Sequence, residues 1–137
     1  MKRYAVIGFG CAGYYAAKTI RELVPDCQID VYSDTDKAPA NPMLTTYYVA
    51  GKIPWENLFP FGENQVALEN LKIDSFINYP VERVSAAGRS VMAGGKKQIY
   101  DDIVLASGAN ALVPPVAGLP DKGVYVMRTP EDAGRLL

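Results

Sequence analysis

The stretch from Tyr4 to Gly13, with the sequence YAVIGFGCAG, constrains the fold of this chain more than any other. Residues 3–7, which are mostly apolar, predict a strand, and Gly8, Gly10 and Gly13 follow it with the spacing G-x-G-x-x-G. This pattern is typical of a strand–turn–helix unit that binds the pyrophosphate of a dinucleotide. Gly8 permits the tight turn, Gly10 leaves room for the phosphates, and Gly13 lets the helix approach its strand. The positive end of the helix dipole then faces the phosphate charges.

A helix is predicted directly after this turn, at residues 14–24, because apolar side chains recur there at helical spacing. Pro25 ends the helix, since proline cannot continue the hydrogen-bonding pattern. The predicted buried face consists of Ala12, Ala16, Ile20 and Leu23.

A second strand is predicted at residues 28–32, and the residues that follow it are candidates for a ribose ligand. Asp34 lies roughly 20 residues after the glycines, at the separation expected of a ribose-binding carboxylate. Ser33 stands directly after the strand, and its hydroxyl is a weaker alternative ligand. The sequence does not decide which of the two residues binds the ribose.

Charge, histidine and cysteine content exclude several classes of function. The chain has 14 basic and 15 acidic side chains, and this net charge of -1 offers no electrostatic surface for nucleic acid or an anionic membrane. No apolar run approaches the roughly 18 residues that span a bilayer, so we expect a cytoplasmic protein. The chain has no histidine, and Cys11 and Cys27 form no CxxC pair, so neither a metal site nor a dithiol centre is expected.

A long insertion, residues 35–72, precedes the next strand, and an insertion of this length is expected to carry function. Short helices are predicted at residues 44–50 and 64–71. The aromatic residues between these helices are expected to fill the core rather than to flank a bound ring system; they are Trp55, Phe59 and Phe61.

The second half of the chain predicts the remainder of an α/β domain. Strands are predicted at residues 72–78 and at residues 103–106, the latter as an apolar run buried on both faces. Three short segments separated by glycine turns predict an antiparallel meander at residues 81–84, 90–92 and 97–100. We therefore expect a Rossmann-like α/β fold, with a parallel sheet that has helices on one face and the small antiparallel meander on the other.

Four blocks of sequence, spread over nearly the whole chain, carry a family resemblance. They are the glycine turn; Asn41-Pro42-Met43-Leu44 with Tyr47-Tyr48-Val-Ala-Gly51; the run YDDIVLASGA from Tyr100 to Ala109; and Val113-Pro114-Pro115 through Arg128-Thr129-Pro130-Glu131-Asp132-Ala133. With these blocks the chain resembles the FAD-dependent pyridine nucleotide-disulfide oxidoreductase superfamily. It is most similar to the branch of rubredoxin and ferredoxin reductases, nitrite reductase flavin domains and NADH oxidases.

This resemblance implies an FAD-binding site that is carried over residue by residue. The implied residues are Gly8, Gly10, Ala12 and Gly13 for the pyrophosphate, Ser33 or Asp34 for the adenosine ribose, the backbone of Val81 for adenine, Ala106, Ser107 and Gly108 over the centre of the cofactor, and Asn41, Pro42 and Arg128 on the flavin side. The resemblance assigns no catalytic side chain in this stretch.

Four positions depart from the family pattern. Ser33 stands where most flavin and NAD proteins of this kind carry a glutamate or an aspartate. Asn41 replaces a basic residue, so a positive charge near the cofactor is missing, and Ser107 replaces a threonine. Met43 stands where coenzyme A disulfide reductases and peroxidases of this branch carry their single redox cysteine. Cysteine-based reduction of disulfides or peroxides is therefore not expected.

A helix start at Thr129-Pro130-Glu131-Asp132 leads, in the family, into a second Rossmann domain for NAD(P)H, after which the chain returns to complete the FAD domain. We therefore expect residues 1–137 to be the first segment of an FAD-binding domain, without the NAD(P)H domain and the return segment, and inactive alone. The resemblance implies a parent enzyme in which NAD(P)H transfers hydride to flavin N5 and the flavin passes electrons to a small redox protein or a small-molecule acceptor. The resemblance does not decide whether the parent enzyme is an oligomer.

Two other functions are compatible with the sequence. One is a non-catalytic FAD-binding or nucleotide-binding module, which the loss of the acidic residue at Ser33 and of the basic residue at Asn41 favours. The other is the Rossmann domain of an NAD(P)-dependent dehydrogenase, although such a domain needs neither the long insertion nor the meander.

Overall fold

The computed structural model describes residues 1–120 and 122–137, with residues 64 and 65 described by their backbone only. The chain divides into two compact units. The first unit comprises residues 1–39 and 61–108, and the second comprises residues 40–60 and 109–137. No helix in the described ranges is long and apolar enough to cross a membrane.

The first unit contains both sheets. Its elements in chain order are β1 (Arg3–Ile7), α1 (Cys11–Leu23), β2 (Gln28–Tyr32), α3 (Asn64–Leu71), β3 (Asp74–Phe76), β4 (Val81–Ser85), β5 (Ser90–Ala93), β6 (Lys96–Ile99) and β7 (Asp102–Leu105). The number α2 belongs to a helix of the second unit. Strands β3, β2, β1 and β7 form a parallel sheet in that order, and β4, β5 and β6 form an antiparallel sheet. The predicted Rossmann-like α/β fold is confirmed.

The two faces of the parallel sheet carry two separate apolar clusters, because side chains along a strand alternate between faces. Tyr4 and Val6 of β1 and Val31 of β2 face a cluster that includes residues of α1 and α3. Ala5 and Ile7 face the antiparallel sheet, where Val91, Ala93 and Tyr100 pack against them. The meander therefore covers the face opposite the helices, as the sequence predicts.

Helix α1 begins three residues earlier than predicted and is rotated relative to the predicted buried face. Gly13 and Ala17 are its buried residues, and Ala16 and Ile20 pack against the core beside them. Ala12 and Leu23, predicted to be buried, are exposed. This rotation follows from the close approach of Gly13 to the carbonyl group of Gly8. The helix face that carries Gly13 and Ala17 therefore points toward the sheet.

Two strand predictions need correction. The strand predicted at residues 72–78 is confined to Asp74–Phe76, which pairs with the end of β2. The strand predicted at residues 103–106 is not buried on both faces, since Leu105 is 66% exposed. In the described sheet β7 is an edge strand, and an edge position leaves its residues less covered than those of a central strand.

The second unit is built from short helices. They are 3-10 helices at Pro42–Leu44 and Trp55–Leu58, α2 at Thr45–Val49, and α4 at Pro130–Leu136. Helices α2 and α4 pack against each other, and Trp55 makes edge contacts with Tyr48 and Phe59. These aromatic contacts agree with the predicted packing role of Trp55 and Phe59, and Phe61 of the first unit stacks on Tyr14 at a ring separation of 3.8 Å.

Candidate functional site

Three of the predicted binding segments meet at one edge of the parallel sheet. The glycine turn follows β1, Ser33 and Asp34 follow β2, and residues 106–108 follow β7, which are three neighbouring strands of the same direction. Backbone hydrogen bonds join the segments: Gly8 N–H donates to the Tyr32 carbonyl (2.8 Å). The carboxyl edge of such a sheet, where connections leave in different directions, is the usual place for a ligand crevice.

Two glycines of the turn are required by the fold itself. A Cβ atom on Gly8 would overlap the carbonyl oxygen of Ala106 and lie 2.9 Å from the Cα of Ser107, and Gly8 also has φ of 98°. A Cβ atom on Gly13 would overlap the carbonyl oxygen of Gly8. The first contact lies between the turn and residues Ala106 and Ser107, and the second lies between α1 and the turn. Together they explain both glycines without any ligand.

Gly10 is different, because nothing in the described protein requires a glycine there. Its φ of -89° and ψ of -167° suit any residue, and a Cβ atom would have no described heavy atom within 4 Å. The residue caps α1, where the Tyr14 N–H donates to the Gly10 carbonyl at 2.9 Å. The space that a side chain would occupy is therefore open beside the first turn of the helix.

The first turn of α1 is suited to an anion. The amides of Ala12 and Gly13 precede the first donor of the helical ladder, Tyr14, and the N-cap residue, Gly10, has no side chain that could accept from them. Ala12 is exposed at this point. The geometry thus places backbone donors and the positive end of a helix dipole beside the open space at Gly10.

The structure separates the two ribose candidates. Ser33 is 4% exposed, its N–H donates to the Phe76 carbonyl (3.0 Å), and its Oγ accepts from the Thr35 N–H (3.3 Å). Asp34 is exposed directly after it. Ser33 is thus engaged in holding the loop, while the carboxylate of Asp34 faces solvent at the sheet edge.

Val81 opens β4, an edge strand of the antiparallel sheet. Val81 pairs with Ala93, and the register shift between Val81 and Arg83 leaves Glu82 outside the ladder with β5. Val81 itself packs at the border of the apolar cluster of the meander. On the side away from β5, the backbone of β4 has no strand partner in the described sheet, because β4 is an edge strand.

The predicted flavin-side residues all belong to the second unit. Asn41 precedes Pro42, and its Oδ1 accepts from the Met43 N–H (3.0 Å), which caps the following 3-10 helix. The exposed Arg128 donates from Nε to the Ala109 carbonyl (3.1 Å), and its N–H donates to Asp132. Asn41 is therefore used as a cap, whereas part of the Arg128 guanidinium is directed at its own loop.

The two cysteines and Met43 have different environments. Met43 is 78% exposed, and Cys27 is buried. Burial raises the pKa of the Cys11 thiol, although a hydrogen bond from its own backbone partly offsets this effect. A raised pKa keeps Cys11 as a thiol at neutral pH, which makes it a poor nucleophile.

A buried polar network between the two sheets was not anticipated from the sequence. Asp30 is 2% exposed, and its carboxylate accepts from the Tyr100 hydroxyl (2.8 Å), from Arg3 Nη2 (3.3 Å) and from Gln28 Nε2 (3.0 Å). The hydroxyls of Tyr32 and Tyr100 are 2.6 Å apart. The available signal was the alternation of Gln28, Asp30 and Tyr32 along β2, which places three polar groups on one strand face.

The phenol groups of this network are held in their neutral form. Burial is the main cause of the raised pKa of Tyr100, and its hydrogen bonds to Tyr32 and Asp30 raise it further. Burial also raises the pKa of Tyr32, against the opposing effect of the hydrogen bond to Tyr100. Both hydroxyls thus stay available as hydrogen-bond donors across the whole physiological pH range.

Comparison with known proteins places these features in context. The family model for pyridine nucleotide-disulphide oxidoreductases matches residues 2–137. Over 134 residues the chain is 31% identical to the NAD(P)H sulfur oxidoreductase (CoA-dependent) of Pyrococcus abyssi, a match that spans 96% of this chain and 30% of that protein.

Two solved structures show the same fold over almost the entire chain. The NAD-dependent persulfide reductase from A. fulgidus superposes with a TM-score of 0.89 at 26% identity, covering 98% of this chain and 26% of that one. Putidaredoxin reductase, in its covalent complex with putidaredoxin, superposes with a TM-score of 0.83 at 26% identity, covering 97% and 33% of the two chains. The chain thus spans about a third or less of the length of these proteins.

Proposed function

Because this chain belongs to the pyridine nucleotide-disulphide oxidoreductase family, we propose that it forms the FAD-binding part of an NAD(P)H-dependent flavin oxidoreductase. Residues 1–137 correspond to about 30% of the length of the Pyrococcus abyssi relative, so the activity of the whole protein is part of this proposal. We also propose that the protein is cytoplasmic.

Gly10 is the observation that carries the proposal. The fold explains Gly8 and Gly13 through contacts within the protein, but it leaves the open space at Gly10 unexplained. A pyrophosphate that lies against the Gly10 backbone and accepts from the first-turn amides accounts for this space. The residues present therefore fit the phosphate part of FAD.

Asp34 is the ribose ligand in this proposal. An exposed carboxylate at the end of β2 can accept hydrogen bonds from both ribose hydroxyls, whereas the buried Ser33 hydroxyl already receives the Thr35 N–H. We assign adenine to the backbone of Val81, on the edge strand β4. Ala106 and Ser107 lie against Gly8. We assign them, with Gly108, to the centre of the cofactor.

The flavin side is assigned to Asn41, Pro42 and Arg128. When bound, FAD supplies the redox chemistry by taking electrons from NAD(P)H and releasing them to an acceptor. In this proposal the chain binds and orients the cofactor. Since Met43 carries no thiol, we propose that the electrons leave to a separate acceptor, and the complex of putidaredoxin reductase with putidaredoxin supports a small redox protein.

A non-catalytic FAD-binding module is the second candidate. The observation that favours it is the neutral side chain of Asn41, whose oxygen is used as a helix cap rather than for charge near the cofactor. The two functions differ in one measurement, the bleaching of bound FAD by NADH or NADPH in the longest protein that carries this chain. Bleaching within seconds supports the oxidoreductase, and unchanged flavin absorbance supports the module.

Replacement of Gly10 by valine tests the binding site. We expect the 137-residue chain to bind FAD and ADP, and Gly10→Val to weaken both by at least about 100-fold, since a side chain would fill the phosphate position. Gly134→Val is the matched control, because Gly134 also has no described atom within 4 Å of a Cβ and lies in α4. Calorimetric titration gives the dissociation constants, and circular dichroism checks folding.

Two outcomes would contradict the proposal. One is wild-type affinity for FAD in a folded Gly10→Val variant, which would remove the pyrophosphate from this turn. The other is a folded wild-type chain that binds neither FAD nor ADP, both alone and in a longer product of the same gene.

A further inference from the structure

We propose that Tyr100 is a positioning residue for the adenosine half of FAD, acting through its buried contacts with Asp30 and Tyr32. The inference rests on the proposed function, since it concerns the geometry of that same binding site. It assigns a ligand-related role to a polar network whose Asp30, Tyr32 and Tyr100 side chains are buried.

The network joins the meander to the end of β2. The Tyr100 N–H donates to the Arg89 carbonyl at the turn between β4 and β5 (2.9 Å), which fixes the residue to the meander. Its hydroxyl donates to Asp30 and lies 2.6 Å from the hydroxyl of Tyr32, both on β2. Arg3 holds the other side, with its guanidinium 5.0 Å from the centre of the Tyr100 ring.

The two elements that this network joins carry the two halves of the proposed adenosine site. Val81, the adenine contact, opens β4 in the meander, and Asp34, the ribose contact, stands two residues after Tyr32. Adenine and ribose are joined by one bond, so their protein contacts must keep a fixed separation. Contacts that set the position of the meander relative to β2 therefore affect the affinity for adenosine.

Apolar packing alone does not set this position. Val91 and Ala93 of the meander pack against Ala5 and Ile7, and such contacts favour burial without specifying a direction. Hydrogen bonds are directional, and a buried charge such as Asp30 must keep its partners. Arg3 also ties the end of the meander to β1, through Nη1 to the Ile99 carbonyl (3.1 Å) and through its carbonyl to the Asp101 N–H (2.8 Å). The Tyr100–Asp30–Tyr32 contacts add the direct tie between the meander and β2, and so favour one placement among those that apolar packing would allow.

The loop after Tyr32 is held by contacts of Tyr32 and Ser33 with Phe76 and Tyr79. The Tyr32 ring stacks on Phe76 with a centroid separation of 4.6 Å and an interplanar angle of 9°. Ser33, the next residue, donates its N–H to the Phe76 carbonyl, and its own carbonyl accepts from Tyr79. The orientation of the Tyr32 ring is thus transmitted through Phe76 to the segment that presents Asp34.

The test compares ADP with 2′,3′-dideoxy-ADP, which lacks both ribose hydroxyls. We expect the wild-type chain to bind ADP about 10-fold more tightly, the value of hydrogen bonds to a charged group. Tyr100→Phe should reduce this preference to about 3-fold or less, mainly by lowering the affinity for ADP. The reason is that Tyr100 and Asp34 are coupled, so loss of Tyr100 also weakens the contact between Asp34 and the ribose. Tyr15→Phe removes a hydroxyl from a half-exposed ring of α1 and should leave the preference unchanged.

A purely structural role for Tyr100 makes a different prediction. It would lower the thermal midpoint and weaken both nucleotides by the same factor, so the preference would stay at its wild-type value. Asp34→Asn provides the second arm, since it should remove the ribose preference directly. In the double variant Tyr100→Phe/Asp34→Asn we expect no further loss of preference, because both substitutions act on the same contacts.

Tyr32→Phe keeps the inference testable if Tyr100→Phe does not fold. This variant removes only the second hydroxyl and leaves the bond between Tyr100 and Asp30 intact, and it should also narrow the preference for ADP. Full wild-type preference in folded Tyr100→Phe, or in folded Tyr32→Phe where the first variant is unfolded, overturns the inference while the proposed function stands. A wild-type chain that binds neither nucleotide overturns both.

Discussion

At the scale of single residues, the three glycines of the turn have separate tasks although one motif contains them. Gly8 and Gly13 allow backbone atoms to approach each other, and their contacts are made within the protein. Gly10 borders open space instead. Substitutions at these positions should therefore change different properties, stability in the first case and ligand affinity in the second.

Gly13→Ala tests the first half of this distinction. Its Cβ would overlap the carbonyl oxygen of Gly8, so the backbone of the turn or of α1 would have to move. We expect a loss of about 2–4 kcal/mol in the free energy of unfolding, as for other overpacked or strained core sites. Urea denaturation measures it, with Gly134→Ala as the control that should cost nothing. A loss below 0.5 kcal/mol, roughly the value for a surface substitution, would show that the turn can relax.

Single residues also show which features of the site could be predicted from the sequence and which could not. The motif predicted the placement of Gly8, Gly10 and Gly13, because their spacing fixes backbone geometry within one turn. It did not predict the partners of Asp30, because Arg3, Gln28 and Tyr100 come from separate elements and only the folded sheet brings them together. Polar alternation along β2 indicated a polar face but not what would satisfy it.

At the scale of elements, helix α4 carries a capping box that should respond to acid. Thr129 Oγ1 accepts from the Asp132 N–H (3.1 Å), and the Asp132 carboxylate accepts from the N–H groups of Thr129 (2.9 Å) and Arg128 (3.1 Å). Burial alone would raise the pKa of Asp132, but these hydrogen bonds outweigh it and lower the pKa below its ordinary value of 3.8.

The sign of the pH dependence follows from this lowered pKa. A carboxyl group with a folded-state pKa below its unfolded value stabilises the fold above the unfolded pKa, and the contribution is lost as pH falls through the folded pKa. Asp132→Asn should therefore cost about 1 kcal/mol at pH 7, the value of a cap, and progressively less below pH 4. Urea denaturation of both proteins between pH 3 and pH 7 measures the difference, and a difference that is constant with pH would contradict the assignment.

Element boundaries were predicted best where local signals coincide. Residues 28–32 and 64–71 match β2 and α3, whose limits are marked by turn residues and by a left-handed Lys72 with φ of 49°. The buried face of α1 was predicted incorrectly because its rotation depends on the contact between Gly13 and Gly8, which periodicity does not report. The exposure of Leu105 in β7 depends likewise on which strands flank it in the described sheet.

At the scale of the whole molecule, the proposed contacts of FAD divide between the two units of the chain. The residues assigned to adenine, ribose and pyrophosphate belong to residues 1–39 and 61–108, and those assigned to the flavin belong to residues 40–60 and 109–137. ADP contains only the first set of groups, whereas FAD contains both. A comparison of the two ligands therefore separates the contributions of the units without any assumption about their arrangement.

Arg128→Ala is the variant that uses this division. We expect wild-type affinity for ADP and an affinity for FAD lowered by about 10-fold. The proposed function assigns this cationic group to the flavin half, where it would contribute about the value of one charged hydrogen bond. Arg135→Ala is the matched control, since Arg135 is an exposed arginine of α4 whose Nη1 lies 3.8 Å from Asp132 Oδ1. It should change neither affinity.

Calorimetric titration of the three proteins with ADP and with FAD gives the four ratios that decide the assignment. Equal losses for both ligands in Arg128→Ala would mean that the residue supports folding or the adenosine half rather than the flavin. Equal affinities of the wild-type chain for ADP and FAD would mean that the second unit adds nothing to binding. A selective loss for FAD in Arg128→Ala alone would place this residue beside the flavin, the part of the cofactor that carries the redox chemistry.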